Sequence, residues 1–294
     1  MYYFIVNPVA GQGRCLKIMN GISERLNSSN IDHEVAYTRA PGHAEELAAQ
    51  ASEDGFRAVI AVGGDGTVKE VATGILRAGA KAALGIIPGG TGNDYRRAVG
   101  IPSGIEEALA VALGDHTRTV DAAEVNGKLF LNIASVGFDV AVVEARERFS
   151  WLRGLSYYAA VFATLTGYRC RNTRFTMNGE TLAKEILLCA VGNGLYYGGG
   201  MKVLPESVPD DGSMDVCVIN KVSRATILSV FPKFPTGKHA SLPYVAFSRT
   251  KELTIESGGA PFSVQADGEI IPGLTSATFR ILPGVMRVLS PKLG

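Results

Sequence analysis

The sequence lacks a dominant charge, since 29 basic residues stand against 28 acidic ones and the formal net charge is +1. A general affinity for nucleic acid is therefore not expected, and any contact with an anionic membrane must come from a local patch. Histidine and cysteine are scarce, at four residues each, and neither has the spacing of zinc ligands. The cysteines are typical of reduced thiols in a cytoplasmic protein. They are Cys15, Cys170, Cys189 and Cys217.

A segment long and apolar enough to cross a membrane is missing as well. The uncharged segment between Arg153 and Arg169 has 15 residues, fewer than the roughly 20 that a transmembrane helix needs. The N-terminal MYYFIVNPVAGQGR has no basic region before its apolar part, unlike a signal peptide. We therefore expect a cytoplasmic protein with no transmembrane segment, in peripheral contact with a membrane when its substrate lies there.

What the sequence does contain is enough apolar material for a core, with 46% hydrophobic residues. Up to about residue 115, strand-like and helix-like segments alternate, which is typical of an α/β domain with a parallel sheet covered on both faces. The predicted strands are 2–8, 33–38, 58–64 and 83–90, and the predicted helices are 14–26, 43–53, 67–76 and 105–113.

From about residue 117 onward, short strands dominate. Val125 to Lys128 and Met177 to Glu180 each enclose an Asn-Gly pair, the strongest short-range signal of a two-residue β-hairpin. This part is predicted to be a β-rich sandwich. We therefore predict two domains, 1–120 and 121–294, with the last strand able to return to the first. No Pro/Gly-rich linker separates them, which favours a firm interface with the active site in the cleft.

Three of the predicted strands end in unusual loops, namely NPVAGQGR (7–14), GGDGT (63–67) and PGGTGND (88–94). In a parallel sheet, the carboxyl ends of the strands share one edge, and ligands bind there. Each loop supplies glycines, unengaged backbone N–H groups and a helix N-terminus, which together suit a polyphosphate. Thr67 and Thr91 add hydroxyls, and Asp65 adds a carboxylate that is able to hold magnesium.

For any one of these loops alone, a plain structural turn is the more common explanation, but three such loops on one edge weaken it. The two common nucleotide fingerprints, GxxxxGK[ST] and GxGxxG, are absent from the sequence. The predicted phosphate site is therefore neither of the Walker type nor of the dinucleotide-binding type.

Together the three motifs resemble those of the diacylglycerol kinase-like lipid kinases, a group that includes sphingosine and ceramide kinases. The resemblance covers almost the whole chain, through VGFD (136–139), GNGLYYGGGMKVLP (192–205), DDGSMDV (210–216) and DGE (267–269). NAD kinases and phosphofructokinases also have GGDGT-type loops, so the order and spacing of the whole series carry the specificity. The series resembles a soluble bacterial lipid kinase, with a fold like that of NAD kinase and phosphofructokinase in its first domain.

The resemblance implies an ATP pocket in the first domain, with Asp65 beside the phosphates and the catalytic Mg²⁺. A second, structural Mg²⁺ site is implied in VPDDGS, where the Asp211 side chain and the carbonyls of Val208 and Ser213 would be ligands. Lys69 departs from the family pattern, which often has Asn at this place. The residues implied for the ATP pocket are Asn7, Gly11, Thr38, Gly63, Gly64, Asp65, Gly66, Thr67 and Thr91.

For the acceptor, Asp267 and Glu269 match the acidic pair proposed in the family to activate the lipid hydroxyl. Glu269 is the first choice for the general base and Asp267 the second. Both residues would face the same side of an extended strand, unless Gly268 turns the chain. From the residues alone, an Asp-Gly hairpin with solvated acids is the alternative.

The predicted activity is ATP- and Mg²⁺-dependent phosphorylation of diacylglycerol or a related lipid alcohol at a membrane surface. A soluble-metabolite kinase of the NAD kinase type and a non-catalytic nucleotide- or lipid-binding regulator are the alternatives. The apolar segment 155–168 is expected to be either core or the wall of an acyl-chain groove. Segment 231–243 is either a solvated loop or, through Lys233, Lys238 and His239, a contact for lipid headgroups. Strand edges leave a homodimer open.

Overall fold

A computed structural model describes residues 1–146, 148, 149, 151 and 156–292. The described chain divides into two compact units. The first unit contains residues 1–122, 209–211 and the segment from Leu282 onward, and the second contains 123–208 and 212–281. The first unit is therefore discontinuous in sequence.

The first unit alternates strands and helices as predicted, and each predicted element is confirmed to within two residues at either end. Its strands are β1 (Tyr2–Val6), β2 (His33–Tyr37), β3 (Ala58–Gly63) and β4 (Ala83–Pro88). Its helices are α1 (Arg14–Ser28), α2 (His43–Glu53), α3 (Asp65–Arg77), α4 (Asp94–Ala98) and α5 (Ile105–Ala112), with a 3₁₀ turn at Ala10–Gly13 before α1.

Two strands, β5 (Thr117–Val125) and β17 (Ser276–Leu289), have residues in both units. The helices of the second unit are α6 (Phe138–Arg146), α7 (Ser156–Gly167) and α8 (Arg224–Val230), followed by 3₁₀ helices at Phe231–Thr236 and Lys238–Ser241. Its other strands are β6 (Lys128–Phe130), β7 (Ile133–Gly137), β8 (Arg171–Met177), β9 (Glu180–Gly192), β10 (Tyr196–Tyr197), β11 (Met201–Lys202), β12 (Met214–Asn220), β13 (Val245–Thr250), β14 (Glu252–Ser257), β15 (Phe262–Ala266) and β16 (Glu269–Leu274).

The sheet of the first unit has the order β2-β1-β3-β4, and all of these strands are parallel. Val288 of β17 extends it by pairing in parallel with Leu84 of β4. Every residue of β3 and β4 is buried. Because successive side chains point to opposite faces of a strand, both faces of this sheet are covered, as the continuous apolar runs predict.

The second unit is a β-sandwich whose strands pair in the order β16-β15-β7-β9-β8-β14-β17. Strand β9 serves two layers, because its residues up to Ile186 pair with β8 while Leu188–Gly192 pair with β7 and β12. On β9, Cys189 and Val191 enter the core between strands, and Leu188 and Ala190 pack toward the helices. This alternation with a period of two gives the unit two separate cores.

The two predicted Asn-Gly hairpins are confirmed. Asn126 and Gly127 have φ of +49° and +81°, and Asn178 and Gly179 have φ of +52° and +79°. Each pair forms a two-residue loop closed by a strand pair, Val125 with Lys128 and Met177 with Glu180. Asn and Gly tolerate these left-handed angles, which is why this dipeptide marks the turn.

The structure also describes most of the two segments, 155–168 and 231–243, for which the sequence left two alternatives. Within the apolar segment 155–168, α7 buries Val161 and Leu165 in the helix-side core, so these residues are core. Position 155 lies outside the described residues. In segment 231–243, His239 is fully buried, its ring stacks on Phe234 with a centroid separation of 4.4 Å, and its Nε2 lies 3.0 Å from the Val203 carbonyl. The prediction that His239 meets lipid headgroups or solvent is wrong, because the neighbouring aromatic residues bury it.

Burial lowers the pKa of His239 from its ordinary 6.5, so the folded state keeps this ring neutral. As pH falls through about 6.5, the unfolded chain takes up a proton that the folded chain resists, and stability is lost. We expect the free energy of unfolding to fall more in the wild type than in His239→Gln between about pH 7.5 and 5.5. Denaturant titration at both pH values measures this difference, and parallel losses in the two proteins would contradict the assignment.

Candidate active site

The carboxyl ends of the parallel strands lie level at one edge of the first unit. Val6 pairs with both Tyr37 and Val62, and Gly63 pairs with Pro88. The three unusual loops follow directly from these positions. The prediction that they share one edge of the sheet is therefore confirmed.

The glycines of these loops pack against one another. The N–H groups of Gly89 and Gly90 donate to the Gly63 carbonyl at 2.8 and 3.1 Å. A Cβ on Gly90 would overlap the Cα of Gly64, and a Cβ on Gly11 would overlap the Gly89 carbonyl oxygen. Close backbone approach therefore requires glycine here. The prediction of unengaged N–H groups is wrong for Gly89 and Gly90, whose donors already hold the loops together.

A side-chain pair links the first loop to the start of α3. Asn7 Nδ2 donates to Thr67 Oγ1 at 3.0 Å, and Asn7 Oδ1 accepts the N–H of Val9 at 3.2 Å. Thr67 is buried and Asn7 is half-buried. The Thr38 N–H donates to the Val6 carbonyl at 2.9 Å, which continues the β1–β2 pairing beyond the strand ends. The structure thus brings the predicted residues together, with hydrogen bonds that also stabilise the loops.

Gly66 differs from the packed glycines. It is the second residue of α3, it is exposed, and apart from the backbone of its own helix no atom lies within 4 Å of where its Cβ would be. Neither packing nor backbone angle requires glycine here, and alanine is the better helix former. Thr91, on the neighbouring loop, is likewise exposed. The open space at the N-terminus of α3 is what an approaching phosphate group would need.

Asp65, the first residue of α3, is half-buried, and its Oδ1 accepts the N–H of Tyr95 in α4 at 3.0 Å. Burial and the neighbouring charge of Arg97 lower the pKa of Arg96, while Asp65 and Asp94 act in the opposite direction. Asp65 therefore belongs to a mixed cluster of charges. Sequence reasoning did not single out Arg96, although Tyr-Arg-Arg directly follows the PGGTGND motif.

Among the residues that the structure describes, no three His, Cys, Asp or Glu side chains are grouped as metal ligands. Asp65 supplies a carboxylate at the N-terminus of α3. Mg²⁺ is usually bound by one or two carboxylates, with substrate phosphates and water completing its shell. The residues present at this edge fit that mode and do not form a cage made of protein alone.

In the VPDDGS segment, Asp210 forms an ion pair with Arg118. Its two carboxylate oxygens accept hydrogen bonds from Nε and Nη2 of Arg118, both at 2.6 Å. This pairing lowers the pKa of Asp210 and raises that of Arg118. Val208 and Asp211 are exposed and Ser213 is half-buried. The role of Asp211 as a magnesium ligand stays a prediction, and Asp210 fixes the segment beside it.

Asp267 lies in the loop between β15 and β16. Asp267 and Gly268 have φ of +49° and +88°, and Ala266 pairs with Glu269 to close the turn. The predicted placement of Asp267 and Glu269 on one side of an extended strand is wrong, because Gly268 turns the chain. The Asp-Gly hairpin that the residues suggest is confirmed.

The Asp267 carboxylate is not solvated in the way such hairpins allow. Oδ2 accepts the N–H of Leu131 at 2.6 Å, and Oδ1 accepts those of Asn132 and Ile133 at 3.0 and 3.2 Å. Three consecutive backbone donors therefore hold this side chain. Glu269 is exposed, with Lys128 Nζ 3.5 Å from its Oε1. Of the two acids, Glu269 is the one with the accessible carboxylate.

Residues 1–125 match the family model of the diacylglycerol kinase catalytic domain, and residues 132–290 match that of the YegS C-terminal NAD kinase beta sandwich-like domain. This chain belongs to the diacylglycerol kinase-like lipid kinase family. It is thus a phosphotransferase of the lipid kinase class, and the α/β domain followed by a β-sandwich is the architecture predicted from its sequence.

Relatives align with this family member over nearly its whole length. A diacylglycerol kinase of Mycobacterium tuberculosis is 34% identical over 99% of this chain and 95% of its own. One of Staphylococcus haemolyticus is 29% identical over 98% of this chain and 87% of its own. A crystal structure of a Bacillus anthracis diacylglycerol kinase superposes with a TM-score of 0.77 at 26% identity, covering 99% and 97% of the two chains. None of the described helices has both the length and the apolarity of a membrane span.

We expect Gly66→Ala to separate ligand binding from folding. The free energy of unfolding should stay unchanged or rise by up to ~1 kcal/mol, because alanine favours the helix and meets no neighbour. ATP affinity should fall at least about tenfold, because the methyl group takes up phosphate space. Calorimetry with ATP and Mg²⁺ measures the affinity.

The matched control is Gly21→Ala, an exposed glycine of α1 that also has no neighbour within 4 Å of a Cβ. It should stabilise the protein to a similar degree and leave ATP affinity unchanged. Equal ATP affinity in both variants would contradict a phosphate site at the start of α3.

Replacing each acid of the hairpin by its amide, Asp267→Asn and Glu269→Gln, should change the free energy of unfolding by different amounts. Asp267→Asn places an NH₂ group against backbone N–H donors, so we expect a loss of roughly 2 kcal/mol or more in the free energy of unfolding. Glu269→Gln neutralises an exposed carboxylate near Lys128 and should change stability by under about 0.5 kcal/mol. Urea unfolding of both variants checks this, and equal losses would overturn the assignment of Asp267 as a structural anchor.

Proposed function

We propose that this protein transfers the γ-phosphate of ATP, with Mg²⁺, to the hydroxyl of diacylglycerol or a related lipid alcohol. The observation that carries the proposal is the set of three loops at one sheet edge, with Asp65 at the N-terminus of α3, inside the part that matches the catalytic domain of diacylglycerol kinases. Phosphoryl transfer needs positioning and charge stabilisation more than covalent chemistry from the protein. This edge offers both.

On the donor side, the proposed ATP-binding residues are those of the three loops together with Thr38. Asn7 and Thr67 fix the relative position of two loops through their mutual hydrogen bond. Gly66 leaves the helix start open, so that backbone dipoles meet the phosphates directly. The full set is Asn7, Gly11, Thr38, Gly63, Gly64, Asp65, Gly66, Thr67 and Thr91.

Asp65 would hold the Mg²⁺ ion, which supplies neutralisation of the charge on the β- and γ-phosphate oxygens when it is bound. Its bond to the Tyr95 N–H orients one oxygen of the carboxylate. We further propose that Asp211, with the carbonyls of Val208 and Ser213, binds a second Mg²⁺ that fixes the VPDDGS segment. The pair of Arg118 and Asp210 already restrains this segment from one side.

On the acceptor side, Glu269 is proposed as the general base. The lipid hydroxyl oxygen forms a bond to the γ-phosphorus while the bond from phosphorus to the ADP oxygen breaks, and the hydroxyl proton passes to Glu269. Lys128 Nζ lies 3.5 Å from Oε1 of this carboxylate. Asp267 contributes as the anchor of the turn that carries Glu269. The acceptor would be met at a membrane surface, since diacylglycerol is a membrane lipid.

The test of this function presents the protein with ATP, Mg²⁺ and mixed micelles of diacylglycerol, monoacylglycerol, phosphatidylglycerol or sphingoid bases, and detects phosphorylated products by mass. We expect phosphate transfer to at least one lipid, and its loss when EDTA removes Mg²⁺. Glu269→Gln should reduce kcat by about 10²–10⁴-fold. Asp65→Asn keeps an oxygen for the Tyr95 N–H and should abolish turnover while the protein stays folded.

The matched control is Glu252→Gln, an equally exposed strand carboxylate of the second unit that pairs with Arg280. It should leave kcat unchanged. The proposal fails if folded protein phosphorylates no lipid, or if Asp65→Asn is fully active. The sandwich model named after NAD kinase makes NAD the informative alternative acceptor, and its phosphorylation in place of any lipid would assign the protein to soluble-metabolite kinases.

A further inference from the structure

Gln265 is a polar residue in the core of the second unit, at only 3% exposure, two positions before Asp267. Its Oε1 accepts the N–H of Gly268 at 2.6 Å, and its Nε2 donates to Ser135 Oγ at 3.2 Å. Because an N–H can only donate, the Gly268 bond fixes which end of the Gln265 amide faces the turn. The other end must then donate to Ser135.

Ser135 lies opposite Gln265 in the β7–β15 pair and is completely buried. Its hydroxyl accepts from Gln265 and donates to Oδ2 of Asp139 at the start of α6. The hydroxyl of Tyr197 donates to the same oxygen at 3.3 Å. A single direction of donation therefore runs from the turn through Gln265 and Ser135 to Asp139.

Asp139 is buried at 6% exposure, and burial raises its pKa to about 6. The hydrogen bonds from Ser135 and Tyr197 oppose that rise. Among the described residues, the other titratable groups that interact electrostatically with Asp139 are Tyr168, after α7, and Cys189, on β9. Burial raises the pKa of both groups, which keeps them neutral. A buried carboxylate costs stability whenever it ionises, so its presence calls for another explanation.

We propose that Gln265, Ser135, Asp139 and Tyr197 are positioning residues, which hold the Asp267–Gly268 turn so that the Glu269 carboxylate points where the lipid hydroxyl binds. This inference rests on the proposed function, because it gives the turn a catalytic purpose. The chain is constrained at both ends, since the Asp139 carboxylate accepts the Ser135 hydroxyl and the Gly268 N–H donates to Gln265 Oε1. Between them, the Gln265 amide donates to the Ser135 hydroxyl oxygen, so a change at Asp139 is passed to the turn. Glu269 follows Gly268 directly, so a reoriented turn displaces the base.

The chain itself can be tested without any activity. In protein labelled with ¹⁵N-glycine, the Gly268 amide reports its hydrogen bond to Gln265. The Glu269→Gln background removes one of the two acids adjacent to Gly268, and the other, Asp267, is the same in every variant compared. There we expect the Gly268 resonance to shift with a midpoint near pH 6, as Asp139 takes up a proton.

Asp139→Asn in the same background should abolish that shift, and so should Ser135→Ala, which cuts the chain between Gln265 and Asp139. A Gly268 resonance that follows the same pH curve with and without Asp139 would overturn the proposal.

The catalytic consequence is tested with Gln265→Met, which keeps the length of the side chain and removes both hydrogen bonds, and with Ser135→Ala. We expect kcat for lipid phosphorylation to fall roughly tenfold or more, with KM for ATP unchanged, because the base is misplaced and the donor site is intact.

The matched control is Thr250→Val, which removes a buried hydroxyl that bonds Asn178 and Glu252 elsewhere in the unit. It should lower Tm as much as Ser135→Ala does and leave kcat unchanged. If kcat falls equally in Thr250→Val and Ser135→Ala, the chain has only a structural role and the proposal is wrong.

If Gln265→Met does not fold, Ser135→Ala and the Gly268 titration still decide the matter. Failure of the proposed function has a different signature, since the wild type then phosphorylates no lipid while the Gly268 titration still reports on the chain.

Discussion

The candidate donor site depends on the level register of four parallel strands. Strands β2, β1, β3 and β4 end side by side. The loops that follow them therefore leave the sheet at adjacent points and pack into the same small volume. Only backbones without side chains fit there, and the Gly63 carbonyl binds the Gly89 and Gly90 N–H groups across the gap. The register thus dictates the glycines, and the glycines in turn place α3 and its acidic first residue.

Much of this was readable from the sequence. Alternating strand and helix patterns predict the first unit nearly to the residue, since each buried strand is a continuous apolar run bounded by a turn. The Asn-Gly and Asp-Gly turns are equally local, because the angles they need are set by two residues alone. The common edge of the three loops also follows, since parallel strands leave no other arrangement.

Contacts between distant parts of the chain were not readable. Asp267 is held by Leu131, Asn132 and Ile133, about 135 positions earlier, and no local pattern announces such a partner. His239 appears polar in its Pro- and Lys-rich segment, yet Phe234 and the Val203 carbonyl enclose it. The same limit explains why the sequence left Asp267 and Glu269 as rival bases. The three backbone N–H donors that hold the Asp267 carboxylate come from a distant segment and cannot be read from the DGE motif.

The discontinuity of the first unit has a consequence for how the chain is made. Its sheet includes β17, whose Val288 pairs with Leu84 although some two hundred positions separate them. When residues 1–122 have left the ribosome, β17, which pairs with the edge of β4, has therefore not yet been synthesised. The whole second unit must be synthesised before β17 can pair with β4. In the nascent first unit, β4 therefore has an unpaired edge. Completing the unit that contains the candidate donor site is thereby tied to having synthesised the unit that contains the Asp267–Gly268 turn.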